Sequence, residues 1–268
     1  MVPYLLEDKV KTYLLIDADV VAYRAAIYCE TIFDFGDGEF IEYHEEELPD
    51  YIDGEMMSYC TRLQCDNLVA VLSSSTNFRK EILPTYKGNR PPKPKLLKMA
   101  QDYIRDNYDT REKDSLEGDD VLGILSTHPK LLKGKKIIVS IDKDMQTIPG
   151  FLFNPDKDEG IKEISGVMAD RYWLMQAMTG DSTDCYKGCP GIGPVKAMAL
   201  INDVVEWGTP WATDEQLVTE TWNRIVQLFE SKGLTEEDAL VQARVARILR
   251  HSDYDYKTKK IRLWEPAS

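Results

Sequence analysis

KKIIVSIDKDMQTI, residues 135–148, decides how this chain is built. The β-branched run Ile137-Ile138-Val139 predicts a short buried strand. The strand leads into Asp142 and Asp144, two residues apart, whose side chains point the same way if the extended geometry continues. The opening of the chain repeats the pattern, since TYLLID (12–17) is a strand-like run ending at Asp17, with Asp19 just beyond. NLVAVLS (67–73) and FLFN (151–154) read as further strands. Helical spacing fills the gaps, from about Val20 to Cys29 and again through Leu48, Ile52, Met56, Tyr59 and Leu63. Strands alternating with helices imply βαβ units and a mostly parallel sheet. Phe33 to Tyr43 reads as a hairpin around Gly36-Asp37-Gly38.

Beyond about Ala169 the pattern turns helical, over 169–179, 193–205, 213–231 and 235–250, and closes with the strand-like KIRLWEP (260–266). The expected division is therefore an α/β unit over 1–168 and a helical unit over 169–268 whose last strand returns to the core. Within the first unit, residues 76–110 form an insertion. Its Pro91-Pro92-Lys93-Pro94 run breaks any continuous helix, leaving a basic first half and a helical second half from about Pro94 to Tyr108, an excursion from the sheet.

Nine acidic residues fall into four clusters: Asp17 and Asp19; Glu117, Asp119 and Asp120; Asp142 and Asp144; Asp181 and Asp184. The first three sit at ends of predicted elements, where open α/β sheets present side chains to a common cleft. Two carboxylates about 4 Å apart repel by roughly 4 kcal/mol at an effective dielectric near 20, so eight converging carboxylates need cations. The donors are all oxygen, which favours Mg²⁺ or Mn²⁺ over zinc. Two such ions about 4 Å apart would clamp the attacking and leaving oxygens of a phosphodiester.

Ordinary helix chemistry accounts for part of this acidity. SLEGDDVLG (115–123) opens a helix, and first-turn carboxylates complement its dipole. Three acids in four positions exceed that need. Asp17, at a strand end, is the better ligand of its pair, while Asp19 is either a support for the ligands or the N-cap of the next helix. In GDSTDCYKGCPGIGPVKA (180–197), an acidic pair three apart runs into a Gly191-Ile192-Gly193 turn and a helix headed by Pro194. Such glycines let backbone approach a phosphate, and the helix start offers free N–H groups, with Lys196 as an added charge.

The chain carries 33 Lys plus Arg against 46 Asp plus Glu, a net charge of −13, which taken globally argues against a nucleic-acid partner. The local distribution reverses that argument. Arg79, Lys80, Lys87, Arg90, Lys93, Lys95 and Lys98 stand together with Glu81 as the one acid, next to Phe78 and Tyr86, a combination suited to phosphates and unpaired bases. Five cysteines, an odd count without a leader, fit free thiols and a cytoplasmic protein. No apolar stretch of about 18 residues occurs, so no membrane partner is expected.

In the order IDADVV, FRKEILPTYKGNR, EGDD, SIDKDMQTI, GDSTD and PGIGPVKA, the chain resembles the flap-endonuclease and 5′-to-3′ exonuclease family along nearly its whole length. Its tail further resembles the replication exonucleases of short-tailed bacteriophages. The resemblance implies a central mostly parallel sheet flanked by helices, a helical arch over the site, and a C-terminal helix-three-turn-helix module gripping duplex DNA, often with bound K⁺. The implied activity is metal-dependent hydrolysis of DNA from a 5′ end or at a 5′ flap, with RNA–DNA hybrid as a further substrate. The implied metal ligands are Asp17, Glu117, Asp119, Asp120, Asp142, Asp144, Asp181 and Asp184, with two Mg²⁺ or Mn²⁺ ions. Arg79 and Lys87 would hold and polarise the scissile phosphate, with Arg90 nearby. Gly191 and Gly193 would shape the DNA-phosphate and K⁺ turn, joined by Lys196. One departure is visible: Ser74 stands where the family has an acidic residue.

Two other readings fit fewer residues. LLIDADVV matches the D-x-D-x-V opening of haloacid-dehalogenase-type phosphatases, with Asp17 as nucleophile and Asp19 as general acid, but leaves EGDD, SIDKD and the Gly191 turn without a role. A DNA-binding relative with weakened catalysis is motivated by Ser74. A PIN-type ribonuclease shares the carboxylate sheet but has neither the Gly-x-Gly turn nor the arch.

Overall fold

A computed structural model describes residues 11–34, 36, 38–207 and 213–267. Its framework is a six-stranded sheet in the order β5-β4-β1-β6-β7-β8. The strands are β1 (Thr12–Asp17), β4 (Leu68–Val71), β5 (Thr110–Arg111), β6 (Lys135–Val139), β7 (Gly150–Phe153) and β8 (Lys162–Ile164). Every pairing is parallel except that of β7 with the edge strand β8. β1 lies in the middle, with Leu15 opposite Val69 on one side and Ile138 on the other. Covered on both faces, it reads as an unbroken apolar run, as parallel strands do.

Alternation along the strands divides the core. Leu14, Ile16, Ala70, Ile137 and Val139 pack against α1 (Ala18–Tyr28), α2 (Leu48–Leu63) and α4 (Leu97–Asn107). Leu15, Val69, Val71 and Ile138 pack against α5 (Gly118–Thr127) on the opposite face. Each Val, Leu or Ile among them contributes about 1.5–3 kcal/mol by leaving water. The predicted hairpin is present as β2 (Glu30–Asp34) paired with β3 (Glu39–Tyr43). Asp37 at its tip, like residues 1–10, lies outside the described residues.

Two expectations are corrected by packing. α4 does not leave the sheet, because Leu97, Ala100 and Ile104 are buried in the core beside α1 and α2. The excursion is confined to residues 88–95 and the short α3 (Arg79–Ile82) before them. At the other end, β10 (Lys260–Ile261) pairs with β9 (Tyr254–Asp255) in a two-stranded ribbon rather than joining the central sheet. The strand-like character of KIRLWEP instead serves a different core, where Trp264 stands edge-on between Trp173 and Trp222 at 4.9 Å from each ring.

That core belongs to α6 (Gly166–Thr179), α7 (Pro194–Trp207), α8 (Asp214–Glu230) and α9 (Glu236–Ala246). Ser165, Thr213 and Thr235 cap α6, α8 and α9 by accepting from the backbone N–H three residues on. No helix among the described residues is long and apolar enough to cross a membrane. All five cysteines are free thiols.

Candidate active site

The parallel order delivers the acids to one place. β1 and β6 are neighbours, so Asp17 and the Asp142–Asp144 turn emerge side by side at their carboxyl ends. Ser140 joins them: its hydroxyl donates to Asp17 Oδ2 at 2.7 Å and accepts from Asp142 N at 3.0 Å. Asp142 Oδ1 in turn accepts from Asp144 N at 2.8 Å. Asp17, not Asp19, is the N-cap of α1, accepting from Val20 N. Asp19 supports the surroundings, taking Ser73 N at 2.8 Å and Gln101 Nε2 at 2.9 Å, which ties the end of β4 to α4.

The start of α5 separates three neighbouring acids into three environments. Asp120 is 0% exposed and accepts four hydrogen bonds: from Arg79 Nη1 and Nη2, both at 2.7 Å, from Leu249 N and from Glu117 N. Glu117 accepts from Arg79, from the Tyr86 hydroxyl at 3.0 Å and from the Lys87 ammonium. Although burial works against its charge, Arg79 and Lys87 hold its carboxyl down at about 2. Asp119 accepts no hydrogen bond among the described residues. Burial, together with Asp17, Asp142 and Glu117, pushes its carboxyl well above the usual range, against the pull of Lys87.

Two more carboxyls share that strain. Asp17 is pushed up to about 7 by burial and by the nearby charges of Asp19 and Asp142. Asp144 rises to about 6 through burial and Asp142, despite a 2.5 Å hydrogen bond from Gln176 Nε2. These carboxyls are pushed up because burial and neighbouring carboxylates outweigh the positive charge around them.

The fourth cluster meets the others through bridging side chains. The Tyr86 hydroxyl lies 3.0 Å from both Glu117 Oε2 and Asp184 Oδ2, which share its one proton. Asp184 also faces Lys87 Nζ at 3.6 Å and accepts from Arg90 at 3.1 Å. Asp181 accepts from Lys143 Nζ at 2.9 Å, and Lys143 itself stands between Asp142 and Asp144. Lys87 keeps its proton firmly, since Glu117, Asp119 and Asp184 outweigh the effect of burial. Four carboxylates are thus held by cations of the chain itself. Among the described residues no group of three or more His, Cys, Asp or Glu stands ready to hold a metal ion.

Arg79 is not a phosphate-gripping residue in this arrangement. It is 2% exposed, and its five N–H donors go to Asp120 twice, Glu117, Val245 O and Arg247 O. Its guanidinium lies between the rings of Phe78 and Tyr86. Both rings are buried, so neither is open to an unpaired base. Asp120 leaves the ligand set for the same reason: its lone pairs are spent. Asp17, Glu117, Asp119, Asp142, Asp144, Asp181 and Asp184 remain as candidates, with Lys87 beside Glu117 and Asp184 and Arg90 beside Asp184.

Ser74 lies at the rim beyond β4, its N–H bound to Leu116 O and its hydroxyl near Thr76. Gly191 (φ +76°) and Gly193 are exposed, and a Cβ at either would meet nothing within 4 Å. They leave surface open to approach, rather than relieving an internal clash. Lys196 Nζ folds back to Gly191 O at 3.2 Å. Sequence reasoning missed Lys143 and Gln176; the signals were a lysine interleaved with two aspartates and a glutamine in an apolar helix five residues before Asp181.

Residues 12–150 match the model of a family described as the 5′-3′ exonuclease, N-terminal resolvase-like domain. An exodeoxyribonuclease of Enterobacteria phage T3 is 33% identical over 228 residues, covering 75% of this chain and 74% of the relative. An exonuclease of Escherichia phage T7 is 32% identical over 225 residues, covering 74% of each. In fold, the chain is similar to a bacteriophage T5 protein co-crystallized with metal ions, with a TM-score of 0.63 at 14% identity over 88% of this chain and 89% of that one. A bacteriophage T5 flap endonuclease, solved as a pseudo-enzyme-product complex with DNA and metal ions, superposes with a TM-score of 0.56 at 15% identity, over 88% and 93%.

Proposed function

The chain belongs to the 5′-3′ exonuclease family and is a nuclease acting on DNA; from that premise we propose that it hydrolyses duplex DNA at 5′ ends and 5′ flaps with two divalent cations, Mg²⁺ or Mn²⁺. The observation that carries the proposal is the set Asp17, Asp119 and Asp144, one buried and two half-buried carboxyls, each raised by loss of solvent and by neighbouring carboxyls. Such a set lacks positive charge, and its donors are all oxygen, which suits a hard cation. Asp17, Glu117, Asp119, Asp142, Asp144, Asp181 and Asp184 would hold the ions. When bound there, such ions supply a hydroxide nucleophile at neutral pH and charge stabilisation on the phosphoryl group.

The chain's own residues do the rest. Lys87, held against Glu117 and Asp184, exchanges those carboxylates for the scissile phosphate and neutralises charge growing on its oxygens. Arg90, exposed beside Asp184, grips the adjacent phosphate. Asp19 and Ser140 hold Ser73 and Asp17 in register. Gly191, Gly193 and Lys196 form the contact to the duplex backbone, with K⁺ as the ion at that turn. The α/β unit over 1–168, with its excursion at α3 and residues 88–95, would carry the chemistry and residues 169–268 the duplex, the strand of an RNA–DNA hybrid being a further substrate in a bacterial cytoplasm.

A 5′-labelled flap duplex with Mg²⁺ or EDTA, cut by wild type and by Asp142→Asn, tests this. Wild type should release 5′-phosphorylated products with Mg²⁺ only, and the variant should be near inactive. Equal activity of the two overturns the proposal.

A further inference from the structure

Gln176 is 5% exposed on α6 between Leu174 and Ala177, a polar side chain in an apolar stretch. Its Nε2 donates to Asp144 Oδ1 at 2.5 Å. Its main-chain carbonyl accepts from Gly180 N at 2.9 Å, closing the helix that delivers Asp181. One residue therefore fixes both the Asp144 carboxylate and the start of the Asp181–Asp184 loop. Its remaining atom, Oε1, is buried without a hydrogen-bond partner.

The amide cannot relieve this by turning over. That would set Oε1 against the Asp144 carboxylate, acceptor against acceptor. Buried polar groups nearly always find a partner, so an orphaned acceptor beside a carboxylate cluster indicates a donor that the protein does not supply. Neighbouring carboxylates offer acceptors when ionised, and no donor of the chain reaches Oε1, the nearby Lys143 ammonium being turned to Asp181. The donor class that fits beside acids is water carried by a cation.

We propose that Gln176 is the positioning residue for the half of the site built by Asp144 and Asp181, and that its Oε1 accepts a hydrogen bond from the hydration shell of a divalent cation held there. This rests on the divalent-cation reading above. Partners behind metal ligands typically affect affinity or activity by about 10–100-fold.

The test uses Gln176→Met in the full chain, a volume-conserving change that removes both polar atoms. Free Mn²⁺ is followed by electron paramagnetic resonance, alongside kcat and KM on a 5′-flap duplex and Tm in EDTA. Mn²⁺ affinity and kcat should each fall about tenfold, KM for DNA should hold, and Tm in EDTA should not fall, because removal of the orphaned acceptor offsets loss of the bond to Asp144. Mn²⁺ affinity and kcat equal to wild type overturn the proposal, as does a lowered Tm in EDTA with Mn²⁺ affinity retained. Should the methionine variant not fold, Gln176→Asn, whose amide falls short of Asp144, takes its place: reduced Mn²⁺ affinity supports the proposal and unchanged affinity overturns it. A wild-type protein that binds no Mn²⁺ sinks the divalent-cation reading itself, whatever the variants do.

Discussion

Asp119 and Asp120 are adjacent in the chain and opposite in circumstance. Asp120 is sealed with Arg79 and the backbone after α9, four donors on two oxygens. Asp119 faces Asp17, Asp142 and Glu117 with no donor of its own. The first region is complete as it stands, and the second is not. An acid-rich motif can thus combine a structural anchor with a cation-seeking group, and hydrogen-bond accounting tells them apart where residue type does not.

The contrast can be broken most forcefully at the anchor. Asp120→Ala leaves a buried guanidinium without its main partner and should cost about 3–5 kcal/mol of stability, read as a lower urea midpoint. A variant as stable as wild type would show that the pair is not an anchor. Asp119→Asn should do the reverse. Its DNA cleavage with Mg²⁺ should fall by about a hundredfold or more, roughly 3 kcal/mol in the barrier, while stability in EDTA stays level or rises. Loss of stability comparable to that of Asp120→Ala would erase the distinction.

Acidity sharpens the comparison next. Asp17 and Asp144 have folded pKa values raised to about 7 and about 6 from 3.8, so the folded state holds more protons than the unfolded one between these limits. Their contribution is present below about pH 4 and lost as pH rises through 6 and 7. Metal-free stability should therefore decline over that interval. Glu117, held down at about 2, acts in the other direction but only below its ordinary 4.5. A urea titration in EDTA showing stability flat or rising from pH 4.5 to 7 would contradict this balance. The smallest effect belongs to Arg90, whose pair with Asp184 is half in solvent. Arg90→Ala should leave stability within about 1 kcal/mol and lower the salt dependence of DNA binding by about one phosphate contact.

Much of this was legible in the sequence, because β1, β4, β6 and β7 are apolar runs whose ends are marked by acids or turn residues. The convergence of Asp17, Asp142 and Asp144 follows from strand order alone. β8 was not legible: KEI at a sheet edge is too short and too charged to stand out. α4 was expected as a helix but misplaced, because the prolines before it signal a break and say nothing of where the chain goes next. Arg79 was misread for a deeper reason. A basic residue in a basic stretch suggests phosphate, and nothing local to FRKEI announces that its acceptors are carbonyls at Val245 and Arg247.

Those carbonyls also bear on the order in which the molecule assembles. Arg79 and Val245 are separated by 166 positions, so their bond closes a very long loop, and such contacts form after shorter ones have repaid their entropy. Until α9 docks, the guanidinium that organises Glu117 and Asp120 has lost two of its acceptors. The acid cluster is consequently among the last parts of the protein to mature, and its geometry reports on whether the distant helical unit has arrived.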